Sequence, residues 1–209
     1  MLLELGLLPI IHIIDSRKLR FLHHIVNLPE DDPVKCVFEE QKLFTHEPNW
    51  FNEIVTLLEK YGLESNLDII KDLSKDKWKQ LVTRAVKEDA FRTLSAECAS
   101  KTKTSMLTYT ELSQQQYFKT LSPHQARTYF QIRGDIYDIK CSRPYLYNDD
   151  TCRICKAGSE NIDHVLNHCS QVDRSNVQIN NIYETDELLT LELVQRVHQF
   201  KKKLDLLQE

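Results

Sequence analysis

Apolar residues recur along most of this chain at three- and four-residue steps, the period of amphipathic helices, and proline, glycine and polar clusters cut that pattern into segments. Pro9, at a first helical position, opens a helix on which Ile10, Ile13, Ile14, Phe21, Ile25 and Leu28 form the apolar side. Arg17, Lys18, Arg20, His23 and His24 occupy its other side. Asp32-Pro33 caps and starts a second, short helix through Val37, Phe38 and Gln41. A third spans 48–61, with Trp50, Ile54, Leu57 and Leu58 on one face and Gly62 as its stop. After a polar break, Ser74 caps a longer helix carrying Trp78, Leu81, Val82, Ala85 and Leu94, with Lys75, Lys77, Lys79, Arg84, Lys87 and Arg92 outward. The polar run 100–105 reads as a hinge. Ser122-Pro123 then begins a helix through Ala126, Tyr129, Phe130, Arg133 and Tyr137 that Gly134 kinks or ends. An Asn-rich loop at 171–181 leads to a last helix capped by Thr185. Asp186 and Glu187 in its first turn and Lys201, Lys202 and Lys203 near its end suit the helix dipole.

These segments predict a mostly α fold: a helical region over 1–100, a helical linker over 101–147, a small metal-binding knuckle over 148–172, and a loop with a terminal helix over 173–209. Only four glycines and six prolines interrupt the chain, as a helical reading requires. On the last helix Leu193, Val197, Phe200, Leu204 and Leu207 step by four and three, a short seam resembling a coiled coil that packs on a partner or a neighbouring domain.

The formal net charge of −4 changes the functional picture: nucleic-acid contact must come from local basic faces, not from overall attraction. Six cysteines include three isolated ones, Cys36, Cys98 and Cys141, so the pattern is intracellular and is not a disulfide framework. The greasy first fourteen residues are broken by Glu4, Gly6, Pro9 and His12 and lack a basic leader, which argues against a signal peptide. No later run is long enough to cross a membrane.

The strongest chemical signal is Cys152-Arg-Ile-Cys155 followed by His164 and Cys169, with two, eight and four residues between successive ligands. The pair of cysteines places two sulfurs on one side of a tight turn, and a later His and Cys close a tetrahedron around one structural zinc with no position left for a catalytic water. Gly158 is available for a positive-φ turn, and one or two helical turns over 160–168 bring His164 back toward the cysteines. His168, one turn beyond His164, competes with Cys169 as fourth ligand; thiolate, the softer donor, favours Cys169.

Other motifs have ordinary explanations. Tyr147-Asn-Asp-Asp150 has the Y-x-D-D form of a magnesium-binding polymerase hairpin, yet it runs straight into the zinc turn, with no third carboxylate and no flanking strands. Asp173 and Asp186, with twelve residues between them, and Asp138-Ile-Lys140 match fragments of a restriction-like nuclease pattern and never complete its set. Arg17, Lys18 and Arg20 read equally as a phosphate track or as the solvated face of a helix, and the cations of the helix after Ser74 read as a solvated face. His12, His46, His124 and His198 are scattered and assigned no site.

Leu5-Gly-Leu-Leu-Pro-Ile10, Arg17-Lys-Leu-Arg-Phe-Leu-His23, Tyr109-Thr-Glu-Leu112, Ala126-Arg-Thr-Tyr-Phe-Gln-Ile-Arg133, Asp138-Ile-Lys140 and the C-x-x-C…H…C unit, taken together, resemble the C-terminal region of reverse transcriptases of non-LTR (LINE-like) retrotransposons. The likeness spans residues 3–170, the zinc spacing being its most specific part. It implies a helical thumb, a linker and a CCHC knuckle, with Cys152, Cys155, His164 and Cys169 at the family's ligand positions. No fingers or palm precede Leu5 and the family's catalytic aspartates have no counterpart, so the expected function is non-catalytic: a nuclear module that grips template RNA or target DNA during target-primed reverse transcription. Arg17, Lys18, Arg20, Arg127 and Arg133 would meet phosphates, and Arg153 and Lys156 would sit beside bases or backbone. Two alternatives stay open. One is a zinc-stabilised helical interaction module that binds a protein partner or a polymerase domain through Leu193, Val197, Phe200 and Leu204; the other is a degenerate endonuclease remnant.

Overall fold

A computed structural model describes residues 2–44, 48–105, 107–173, 178–183 and 187–207. The fold is mostly α, as the periodicity predicts, and its described residues carry a single isolated antiparallel bridge, Thr151 to Ser159, in place of a sheet. The chain divides into two compact units, Met1–Ala96 with Tyr109–Ser113, and Glu97–Thr108 with Gln114–Glu209.

The first unit contains α1 (Leu2–Leu5), α2 (Ile10–Val26), α3 (Pro33–Gln41), α4 (Trp50–Tyr61), α5 (Leu67–Asp72) and most of α6 (Lys75–Ser100). Its helix starts follow the sequence signals. The Asp32 carboxylate accepts from the Val34 amide ahead of Pro33, Asn49 caps α4 through the Asn52 amide, and the Ser74 hydroxyl accepts from Lys77. Gly62 ends α4 in the left-handed conformation, φ 59°. Leu19, Leu22, Ile25, Phe38, Ile54, Leu58, Ile70, Trp78 and Val82 form its core, and the Trp78 indole N–H donates to the Leu19 carbonyl at 2.8 Å. Residues 109–113 return to this unit: Leu112 is buried, and the Tyr109 hydroxyl donates to the buried Glu4 carboxylate at 2.7 Å. The break between α4 and α6 that reads as polar in sequence contains α5, capped by Asn66 on the Asp68 amide.

The buried face of α2 is not the one periodicity selects. Ile10, Ile14 and Phe21 point outward, Ile10 being 71 % exposed, whereas His12, Asp15, Ser16 and His23 are buried beside Leu19, Leu22 and Val26. Polar partners decide this. Asp15 accepts from the Tyr61 hydroxyl at 2.6 Å and Lys60 at 2.9 Å, His12 pairs with Asp89 at 3.1 Å, and His23 donates to the Leu73 carbonyl at 2.8 Å. A buried polar group with a partner is tolerable, and one without costs roughly 1–3 kcal/mol.

The Asp15 cluster makes this unit acid-sensitive. Burial works to raise the Asp15 carboxyl, but hydrogen bonds from Tyr61 and Lys60 outweigh it and hold the group below its ordinary 3.8. Asp89 is likewise lowered, against burial, by Arg92 and His12. A carboxylate whose folded pKa is depressed contributes stability that is complete above its unfolded value and is lost as pH falls through the folded one. Denaturant midpoints followed by tryptophan fluorescence should therefore fall as pH drops below about 4, and Asp15→Asn should flatten that dependence.

The second unit contains α7 (Tyr117–Thr120), α8 (Pro123–Arg133), short 3₁₀ turns at Lys140–Ser142 and Pro144–Leu146, a π-helical turn at His164–His168, and α9 (Glu187–Leu206). Ser122 and Gln125 form a reciprocal capping box at the start of α8, and Gly134 ends that helix. The expected cap of α9, Thr185 with Asp186, lies outside the described residues. The linker, knuckle and terminal helix, three regions by sequence, share one core: Tyr117, Tyr129 and Ile132 meet Cys152, Val165, Leu166 and Cys169, and α9 adds Leu193, Val197 and Phe200. A knuckle segment as polar as 156–163 cannot bury a core alone, so its few apolar residues pack on α8 and α9. The seam expected to bind a partner through Leu193, Val197, Phe200 and Leu204 is thereby corrected: all four side chains are buried within this unit, and Leu207 alone of the pattern is exposed. No described helix is long and apolar enough to cross a membrane.

Candidate metal centre

The Thr151–Ser159 bridge closes a small loop with Cys152 and Cys155 at its tip. The Cys152 amide donates to the Gly158 carbonyl at 3.0 Å, the Lys156 amide to the Cys152 carbonyl at 3.1 Å, and the Ala157 amide to the Cys155 sulfur at 3.4 Å. This turn needs two residues at positive φ, Lys156 at 58° and Gly158 at 74°. A Cβ on Gly158 would also stand 3.3 Å from His164 Nδ1, so glycine serves both the turn and the approach of the imidazole.

His164 enters from the π-helical turn. Its amide is capped by Asn161 Oδ1 at 2.8 Å, and its Nε2 lies 3.2 Å from Cys155 Sγ. The turn is closed by a Cys169 amide bond to the His164 carbonyl at 2.6 Å, an i to i+5 step. In an α-helix, at about 100° per residue, position i+5 would face well away from i, whereas the wider π turn returns Cys169 to the side of His164. His168 consequently points to solvent, where it pairs with Asp163 at 3.2 Å. The geometry groups Cys169, and not His168, with the other three: Cys152, Cys155, His164 and Cys169 offer ligand atoms all within 4.8 Å of one another and could hold a metal ion.

Three sulfurs and one imidazole nitrogen at these separations fit a tetrahedrally bound metal ion, whose ligand atoms stand roughly 3.5–4 Å apart for metal–ligand bonds of about 2.0–2.3 Å. Cys152 and Cys169 are fully buried and His164 nearly so. Burial, with the neighbouring Cys152 and Cys155 sulfurs adding to the rise, pushes the Cys169 thiol up to about 12. Burial also works to raise Cys155, but hydrogen bonding from the Ala157 amide and the neighbouring thiols brings it below its ordinary value. A divalent cation reverses the cost at Cys169 by holding the sulfurs as thiolates. Purified protein is expected to keep one equivalent of metal in His168→Ala and to lose it in Cys169→Ser, with elemental analysis as the measurement.

The centre is tied to the rest of the unit by groups that sequence reading missed. Glu160, fully buried, accepts from the Arg153 amide at 2.7 Å and from its guanidinium at 2.6 and 2.9 Å, and from the Lys140 amide at 3.1 Å. The same guanidinium donates to the Asp138 carbonyl at 2.8 Å and the Tyr147 hydroxyl at 2.9 Å. On the opposite side, buried Arg196 of α9 donates to the Leu166 carbonyl at 2.7 Å, and Asn167 clamps the backbone of Ile179 through both its amide atoms. The only advance sign of these roles is charge, which does not say where the charge points.

The expected nucleic-acid residues divide accordingly. Arg153, expected beside bases, is consumed by Glu160, Asp138 and Tyr147, and Arg133, expected at a phosphate, is buried against the rings of Tyr117 and Tyr129. Arg17, Arg127 and Lys156 are exposed. Lys18 pairs with Glu53, and Arg20 donates to the Thr83 hydroxyl at 3.0 Å while remaining at the surface. The Y-x-D-D carboxylates brace the base of the knuckle: Asp149 pairs with Lys140 at 2.7 Å and accepts from the Thr151 amide, and Asp150 accepts from the Ser159 hydroxyl. Of the nuclease pattern, Asp138 accepts from Tyr147, Asp173 is exposed, and Asp186 lies outside the described residues. The His124 and His198 rings meet at a tilt with centroids 4.7 Å apart, and Thr128 bonds His198. Comparison with models of protein families, with characterised proteins and with solved structures finds no match for this chain.

Proposed function

We propose that this chain is a non-catalytic, zinc-stabilised nucleic-acid-binding module corresponding to the thumb, linker and CCHC-knuckle region of a non-LTR retrotransposon reverse transcriptase, working in the nucleus on template RNA or target DNA. The observation that carries the reading is the convergence of Cys152, Cys155, His164 and Cys169 on one point in a largely helical setting. Four protein ligands fill a tetrahedron and leave no open position for substrate, so the ion's role would be to shape the knuckle. Zinc suits three thiolates and an imidazole better than harder cations do. Arg17, Arg127 and Lys156 would meet phosphates, with Lys18 and Arg20 adding charge where their partners release them.

The test joins elemental analysis to a salt titration of RNA and DNA binding. One zinc per chain is expected. The slope of log affinity against log salt should become shallower by about 0.7 for each phosphate-contacting cation removed, so Arg17→Ala with Arg127→Ala and Lys156→Ala should lower it by roughly 2. Absence of binding to either nucleic acid at low salt, with the metal in place, would refute the reading.

A second reading, a helical module that docks against a protein or a polymerase domain, is favoured by a different observation. Ile10, Ile11 and Ile14 in the first turns of α2, with Leu7 just before the helix, are apolar and exposed. Ile10→Lys with Ile14→Lys should abolish such docking and leave nucleic-acid binding intact.

A further inference from the structure

We infer that the groove between α2 and α6 in the first unit is a track for the phosphodiester backbone of a single nucleic-acid strand. This inference rests on the nucleic-acid reading above and assigns it a site that sequence left as a solvated helix face.

The groove contains a cleft of about 270 Å³ lined by Arg20, His23, His24, Lys75 and Lys79 over the ring of Trp78. No carboxylate lines it. Beyond it the open surface of α6 continues from Lys79 to Thr83, Arg84 and Lys87, with Asp76 as its one acid. Lys75, Lys79, Thr83 and Lys87 stand at four-residue steps, and the Arg20 guanidinium is held on the Thr83 hydroxyl at 3.0 Å, filling the step where α6 has no cation of its own. Four helical residues advance about 6 Å, close to the spacing of successive phosphates along one strand. Among the described residues no ion pair engages Lys75, Lys79 or Lys87, whereas Arg84 is drawn off by Glu88 and Lys18 by Glu53. On α6 the unpaired Lys75, Lys79 and Lys87 thus share one line, while Lys77, also without an ion pair, lies off it.

Two features preorganise this line. The His23 ring donates to the Leu73 carbonyl, and the Trp78 indole donates to the Leu19 carbonyl, so the floor is fixed while Lys75 and Lys79 are exposed. The Lys75 end also lies at the N-terminus of a 26-residue helix, where backbone dipoles favour an anion. A strand seated here would place phosphates over Lys75, Lys79, Arg20 and Lys87 in turn. The buried Trp78 offers no stacking face, so recognition would be of the backbone and indifferent to sequence.

The experiment measures binding of an unstructured, labelled RNA or DNA of about 12 nucleotides, a length within the usual site size for a single-strand track, across a salt series. Metal-loaded wild-type protein is compared with Lys75→Ala/Lys79→Ala/Lys87→Ala and with the control Lys119→Ala/Lys202→Ala, two exposed lysines of the second unit. Circular dichroism should show unchanged helix in all three. The triple variant is expected to lose about 2 from the salt slope and at least tenfold in low-salt affinity, independent of base composition. Wild-type binding with a slope that the triple variant leaves unchanged overturns this site and spares the wider reading, whereas no binding by the wild type overturns both. Complete displacement of the strand by low millimolar inorganic phosphate, or lysine-dependent binding to phosphatidylserine vesicles without strand binding, also overturns the track.

Discussion

Stripping the metal, by a chelator or by Cys152→Ser, is expected to unfold the second unit and leave the first folded. Cys152 and Cys169 are not an appendage: they belong to the same core as Tyr129, Val165, Leu166 and Phe200. A structural zinc site contributes on the order of 10 kcal/mol at neutral pH, comparable with the roughly 5–15 kcal/mol that holds a whole domain. Loss of the ion also leaves three thiols and an imidazole crowded in a buried space. The chain carries its own reporter, because both tryptophans, Trp50 and Trp78, lie in the first unit. Tryptophan fluorescence melts should thus be nearly unchanged on metal removal, while hydrogen exchange over 114–173 and 187–207 becomes fast. Protection retained in α8 and α9 without metal would show that their apolar packing suffices.

The second large effect is expected at Glu160. Glu160→Ala should destabilise the second unit by about 3–5 kcal/mol, because it leaves the Arg153 guanidinium, only 17 % exposed, without its main counter-charge. Arg153→Met should cost a similar amount by stranding the Glu160 carboxylate. The double variant Glu160→Leu/Arg153→Met should be milder than the sum of the two, since the cost of a broken buried pair resides in the charge left behind. Chemical denaturation monitored by circular dichroism, with metal content verified in each variant, measures all three. Additive single effects would mean that the two side chains act independently. Nucleic-acid affinity of folded Arg153→Met should match the wild type, because the guanidinium is turned inward.

Local rules written in the chain account for most element boundaries. Asp32-Pro33, Ser122-Pro123 with Gln125, and Gly62 each start or stop a helix through bonds among neighbouring residues, and such signals do not depend on tertiary context. Three members of the candidate ligand set, Cys152, Cys155 and His164, were equally legible, since only cysteine and histidine at that spacing supply soft donors. Short helices such as α5 and α7, with one buried residue each, carry too little periodicity to be read.

What only the tertiary structure decided is the choice among faces and among partners. On α2, apolar residues occur all round, and the Lys60–Tyr61–Asp15 and His12–Asp89 contacts turned its polar side inward. Between His168 and Cys169, spacing leaves both possible; a π turn, its Leu166 carbonyl held by Arg196 thirty positions away, selected the cysteine. Arg153 and Arg17 are equally cationic in sequence, yet one faces a buried carboxylate and the other water. Composition and spacing determine which groups are available and where helices begin, because those depend on neighbours along the chain. Which side of each helix is buried, and which charges remain free to meet a ligand, depends on groups brought near by folding, and that information is absent from any local window.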